Sequence, residues 1–175
     1  MEKAVLEMVP PAPLALVGIA AVADIRTRRI PNLLTFGGAA AGLLYQAWAG
    51  GWHGLGQGAS GWAVGVALLF PMFFLRGMGA GDVKLLAAVG AWFGPVAVLR
   101  VGLYAVCAGG LLALLIGARS RYLGKAFANL WSLFGFWRMA GLQPAPGLTL
   151  EDAPGPRLPY GVAIAAGTAI AAWLK

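Results

Sequence analysis

Asp24 and Asp82 are the two residues of this chain best placed to do chemistry. Each stands at the edge of a long apolar segment, in a sequence that is 60% hydrophobic. The other acids, Glu2, Glu7, Glu151 and Asp152, fall in the N-terminal tail or in one polar loop. An ionisable group at membrane depth is costly and marks a functional site by default. Two carboxylates that meet can share one proton. One then takes a proton from water while the other, protonated, polarises a carbonyl. Such a pair needs elements that carry both residues to one place.

The elements are apolar helices. The chain has 175 residues, a mean hydropathy of +0.78 and only 11% charged residues. A soluble domain carries about 25%. The apolar stretches are too many for one buried core and lack the period-two alternation of a barrel, so the fold class is an all-α polytopic membrane protein. Apolar segments are expected at about 11–23, 33–48, 59–75, 83–93, 95–117 and 159–174, six transmembrane helices in a single domain over 1–175. Pro31, Pro95 and Pro159 stand at segment starts, where a missing N–H costs nothing.

The net charge of +7 is read first as topology. Arg26, Arg28 and Arg29 follow the first segment, Arg76 and Lys84 bracket the third-to-fourth connection, and Arg119, Arg121, Lys125, Arg138 and Arg157 lie between the fifth and sixth. The connections between the second and third and between the fourth and fifth carry none. Three loops are therefore expected in the cytoplasm and both termini outside. Trp48, Trp52, Trp92 and Trp173 then form an outer aromatic belt. Arg100 is read as snorkelling to the outer headgroups, and His53 as a solvated interfacial residue. Residues 119–141 mix Arg and Lys with Phe127, Trp131, Phe134 and Trp137, the pattern of a cytoplasmic interfacial helix. Residues 143–157 read as a loop. No dense basic tract points to nucleic acid. Cys107, the lone cysteine, is expected to be a small buried hydrophobe. Ala21-Val22-Ala23 looks like a signal-cleavage site, but the three arginines that follow resist export.

In this arrangement Asp24 ends the first segment and Asp82 begins the fourth, on the same side of the membrane. Gly77, Gly79 and Gly81 before Asp82 allow positive φ and close backbone approach. Asp82 as a simple N-cap, and Asn32 as the cap of the second segment, are the plain alternatives. Lys84, two positions after Asp82, points to another helix face and is read as binding lipid phosphate or substrate carbonyls.

Gly79-Ala80-Gly81-Asp82-Val83-Lys84 resembles the Gly-x-Gly-Asp signature of intramembrane aspartyl proteases, and more narrowly that of the type IV prepilin peptidase family. Asp24 with Ile30-Pro31-Asn32, and Pro159-Tyr160-Gly161 near the C-terminus, resemble the other motifs of that family in the same order. The resemblance implies an endopeptidase in the bacterial inner membrane. It would remove prepilin or pseudopilin leaders at the cytoplasmic face, with Asp24 and Asp82 catalytic. Gly79, Gly81, Lys84, Pro31, Asn32, Pro159, Tyr160 and Gly161 would shape the site. Partners would be the substrate, membrane lipid and, indirectly, pilus or secretion assembly machinery. No metal or organic cofactor is expected. Larger members carry an N-terminal domain with paired cysteines and methylate the new N-terminus. No CxxC pair is present here, and the chain looks like the compact, peptidase-only branch of Flp (tight-adherence) pili.

Helix polarity assigns the anion to Asp82, at a helix start, and the proton to Asp24, at a helix end, with Arg26, Arg28 and Arg29 pulling the other way. A small transporter or channel using the two aspartates as a proton or cation relay is the alternative, and a scaffold with Asp–Arg pairs is a third.

Overall fold

The structure, a computed structural model, describes residues 11–150, 152 and 158–174. Expectations for Glu2, Glu7, Glu151 and Arg157 lie outside these residues. The regular elements among the described residues are all α-helices: α1 Pro11–Thr27, α2 Asn32–Phe74, α3 Ala80–Phe93, α4 Pro95–Arg119, α5 Leu123–Ala140 and α6 Tyr160–Trp173. Two of them, α2 and α4, are long and apolar enough to cross a membrane, and α6 is a shorter apolar helix.

α2 contains both the second and the third expected segments. It is broken at Gly51, whose φ of 57° and ψ of −141° are not helical and suit a residue without Cβ. The chain reverses there. A Cβ at Gly54 would strike the Gln46 carbonyl, and one at Gly58 would meet Leu43 and Gln46. The connection between these segments, expected as a loop, is therefore helical apart from its corner. Each leg rises roughly 28–35 Å.

α3 is the central post. Leu85 through Val89 and Ala91 are buried on all sides. Glycine makes this possible: Gly58, Gly61 and Gly65 form one stripe on the second leg of α2 and lie against Ala91, Gly90 and Ala87. A side chain at Gly61 would collide with the Gly90 carbonyl, and one at Gly90 with the Gly61 carbonyl. Between apolar helices in lipid, small residues permit the close backbone packing that holds a bundle together. Val17 and Ala20 of α1, Val98, Val101 and Ala105 of α4 and Ile164 of α6 complete the core. Gly94, at φ 81°, turns the chain between Phe93 and Pro95.

Two expectations are corrected. Trp92 does not stand open like the other belt tryptophans: it is half-buried, its indole N–H donates to the Gly38 carbonyl at 2.9 Å, and its ring lies 5.4 Å from Tyr45. Trp48, Trp52 and Trp173 are exposed. Cys107 lies on an exposed face of α4, because Ala105 and Gly109 take the inward positions.

α5 starts at Leu123 because α4 continues through Arg119, and the turn between them sets Arg121 at φ 54°. No residue of α5 is buried, and Phe127, Trp131, Phe134 and Met139 are open. The segment after it is irregular, as expected, but folds back: Ala145 and Thr149 are buried, and the Leu150 N–H donates to the Arg76 carbonyl at 2.8 Å.

Candidate active site

Asp24 lies in the last turn of α1, which runs four residues past the expected end at Ala23. Its side chain is 7% exposed. Helix α6 packs against α1 and brings its first turn to this carboxylate. The backbone N–H of Gly161 donates to Asp24 Oδ2 at 2.9 Å. Any side chain at Gly161 would press on the same group, since a Cβ would stand 3.1 Å from Oδ2. Pro159, buried, is the N-cap of α6 and has no polar side chain to satisfy that end. Asp24 serves as the cap from another helix.

Asp82 is not an N-cap. Gly79 holds that position, α3 begins at Ala80, and Asp82 sits within the first turn with its N–H bonded to the Gly79 carbonyl at 3.2 Å. The half-buried carboxylate folds back over Gly79, where a Cβ would lie 3.4 Å from Oδ2. The positive φ expected of this glycine run falls instead on Arg76, at 54°. The glycines provide close approach: Gly81 faces Ile30, which a Cβ would meet at 3.3 Å. That contact ties the Ile30-Pro31-Asn32 turn to the start of α3.

α1 and α3 touch. α6 touches both of them, so Tyr160 and Gly161 enter at the same junction. Three elements distant in sequence therefore meet: the end of α1, the start of α3 and the start of α6.

Pro31 is the N-cap of α2, and its carbonyl accepts the N–H groups of Leu34 and Thr35. Asn32 makes no cap hydrogen bond. Its Oδ1 accepts from Lys84 Nζ at 3.1 Å, and the same ammonium lies 5.0 Å from the centre of the Phe36 ring. Lys84 thus braces α2 against α3 and does not reach toward Asp24.

A family model described as the type IV leader peptidase family matches residues 13–114, more than half of the sequence. The chain belongs to this family. The family resemblance read from the motifs is borne out. Two curated relatives, each described as a prepilin leader peptidase/N-methyltransferase, come from Burkholderia pseudomallei strains 1026b and K96243. Each is 35% identical over 114 residues, covering 61% of this chain and 36% of the relative. The chain therefore spans about a third of the relatives' length. No solved structure matches it.

The family match includes Asp24, Pro31, Asn32, Gly79, Gly81, Asp82 and Lys84. Pro159, Tyr160 and Gly161 lie beyond it, yet the fold returns them to Asp24. Sequence reasoning missed the contact between Leu150 and Arg76. Its only signal was the low polarity of residues 145–150 inside a stretch otherwise read as loop.

Proposed function

We propose that this protein is an aspartyl endopeptidase of the bacterial inner membrane that removes the leader from type IV prepilins of the Flp-like kind. In this reading the bundle spans the membrane six times, with α2 contributing two spans. The site faces the cytoplasm and both termini lie outside. The carrying observation is the pair of contacts, Gly81 against Ile30 and Gly161 on Asp24, that draw the end of α1 to the starts of α3 and α6 in a chain of the leader peptidase family. Family membership favours this over a transport relay. Methyl transfer is left out of the proposal: the sequence offers no CxxC pair, and Cys107 stands on an exposed face of α4.

Helix α3 is short for a membrane. α3 rises about 21 Å against a hydrocarbon core of roughly 30 Å. The site end of α3 would then lie in a wet recess below the headgroups, where water can reach the pair and irregular backbone is tolerated.

The N-terminus of α6 bears on the division of labour. Asp24 ends α1 but also faces the N-terminus of α6, where Oδ2 already accepts a backbone N–H. Helix polarity therefore no longer sets Asp24 apart from Asp82. We assign water activation to Asp24, whose anion the Gly161 N–H favours, and the shared proton to Asp82. Asp24 takes a proton from water as the oxygen attacks the scissile carbonyl carbon, while Asp82 donates a hydrogen bond to the carbonyl oxygen. The Asp82 proton passes to that oxygen to give a tetrahedral diol; on collapse it returns to Asp82, the C–N bond breaks, and the proton held by Asp24 passes to the leaving nitrogen. A new carboxyl group and a free amine result. Gly79 and Gly81 keep the backbone close, and Gly161 holds Asp24 in position.

The direct test is cleavage of a prepilin encoded in the same genome, co-expressed with wild type, Asp24→Asn or Asp82→Asn at matched membrane levels. Loss of cleavage in both folded variants is the expected outcome. Normal cleavage by either overturns the aspartate-pair reading.

A further inference from the structure

Among the described helices, α5 is the one with no buried residue, and it packs on α4 and on no other helix. Phe127, Leu130, Trp131 and Phe134 are each more than half exposed. Their spacing of three and four residues puts them on one face. Ser132 and Gly135, also exposed, lie on another. We propose that α5 is a membrane-surface anchor: its aromatic face sinks into the leaflet on the side of the aspartates, and Arg119, Arg121 and Lys125 hold the headgroups of anionic phospholipids there. The inference rests on the membrane reading above and goes beyond it, to one helix and one lipid chemistry.

Three observations select lipid as the occupant. The first is where the helix is tied. Its start folds against the end of α4, where a Cβ on Gly117 would stand 2.7 Å from Leu123. Its end is fastened by the Trp137 indole, which donates to the Gln143 carbonyl at 3.0 Å, and by the Gln143 amide, which donates to the Ala140 carbonyl at 2.9 Å. The chain then reaches Leu150, whose N–H bonds to the Arg76 carbonyl just past α2. α4 runs back along α3 from the Gly94 corner, with Gly102 beside Leu86. The end of α4 and the end of α2 are therefore at the same end of the bundle. α5 leaves and returns on one side of the membrane and is not a span.

The second is charge. Arg119, Arg121 and Lys125 are exposed around the start of α5, and Arg138 near its end. The sequence has no carboxylate between Asp82 and Glu151, so nothing in this segment balances them. An aromatic face beside basic side chains is the composition that an anionic lipid interface binds. Two copies of the chain meeting through α5 would bring these like charges together, which disfavours a second copy as the occupant.

The third is continuity. Leu111, Leu114 and Leu115 form an exposed apolar surface on α4 that runs up to Arg119. In the membrane reading that surface faces acyl chains. The aromatic face of α5 begins one turn of chain beyond it, after the charges that belong at headgroup level.

The test uses the full chain in nanodiscs of equal phosphatidylcholine and phosphatidylglycerol. Cys107→Ala removes the native thiol, and a single spin label is placed through Leu114→Cys, Phe134→Cys or Ser132→Cys. Labels at 114 and 134 are expected to meet oxygen and to be shielded from a water-soluble nickel reagent, and the label at 132 to show the reverse. Lipid retained by the protein on release from the discs is expected to be enriched in phosphatidylglycerol. Changing Arg119, Arg121 and Lys125 together to Gln is expected to cut that enrichment about 5-fold or more, the scale of one basic side chain at an anionic surface. Changing both arginines to Lys keeps the charge and is expected to keep the enrichment. A label at 134 that meets the nickel reagent overturns the anchor. One shielded from both reagents places protein on this face, a second copy or the substrate, and overturns it too. Enrichment that the Gln variant leaves unchanged overturns the headgroup seat. If the label at 114 also meets the nickel reagent, the membrane reading fails and the anchor with it; if 114 stays in lipid, the anchor alone is lost.

Discussion

The backbone N–H of Gly161 donates to Oδ2 of Asp24 across 2.9 Å, joining two ends of the described chain in one buried hydrogen bond. The bond satisfies an amide that Pro159 cannot cap, and it fixes the rotamer of a carboxylate that would otherwise end α1 with freedom to turn. Its partner cannot be removed by substitution, but its geometry can be disturbed. A methyl group at Gly161 would stand 3.1–3.4 Å from Oδ2, Cβ and Cγ of Asp24. Gly161→Ala is expected to reduce prepilin cleavage by roughly 10- to 100-fold, since displacements of this size at a reacting group cost about that much. Membrane level and detergent melting temperature should change little. Equal rates for Gly161→Ala and wild type would show that the bond does not position Asp24.

Asp24→Asn and Asp82→Asn each remove one proton-handling group, and each is expected to lower cleavage by at least about 100-fold. The double variant should be no slower than the worse single one, because the two carboxylates act as a unit. Single-turnover rates on matched membrane preparations check this. Additive losses would mean that the aspartates serve separate steps.

A shared-proton pair predicts two limbs in the pH dependence of kcat/KM. Activity should rise with pH as the pair loses its first proton, and fall at higher pH as it loses its second. The two apparent values belong to the pair and not to either residue. The profile of an Asp82→Asn variant with residual activity should lack the falling limb. A wild-type profile that is flat between acidic and neutral pH would speak against the pair.

Lys84 and Asn32 hold the first turns of α3 and α2 together through a 3.1 Å hydrogen bond. A double-mutant cycle with Lys84→Met and Asn32→Ala should yield a coupling of about 1 kcal/mol in unfolding. Cleavage should fall modestly in both single variants by way of the Ile30–Gly81 contact. Zero coupling would assign Lys84 to lipid or substrate instead.

The crossing of α2 and α3 depends on Gly61 and Gly90, whose backbones touch. Gly61→Leu must separate the helices and should lower unfolding stability by about 1–3 kcal/mol or more, as overpacked cores do. The same change at Gly50, which has no neighbour within 4 Å, should be far milder. Thermal denaturation in detergent compares the two.

The helical character of the chain, the Phe93–Pro95 corner and the candidacy of Asp24 and Asp82 were legible in the sequence, for local reasons. Apolar length requires helices in lipid, Gly94-Pro95 ends one helix and starts the next, and a carboxylate among apolar residues stands out by its cost. The motifs at Asp24 and Asp82 also carried the family. The sequence misplaced what depends on neighbours. Trp92 looked like a belt residue because nothing local reveals that Gly38 will offer it a carbonyl. Cys107 looked buried because apolar composition does not say which side of α4 faces inward. The dipole assignment considered only the helix that carries each aspartate, and so left out the N-terminus of α6 that faces Asp24. Local residue types determined what each segment would be. The tertiary structure alone decided which segments meet, because the donor to Asp24, the Leu150–Arg76 hydrogen bond and the glycine contacts of α3 are relations between residues far apart in the chain.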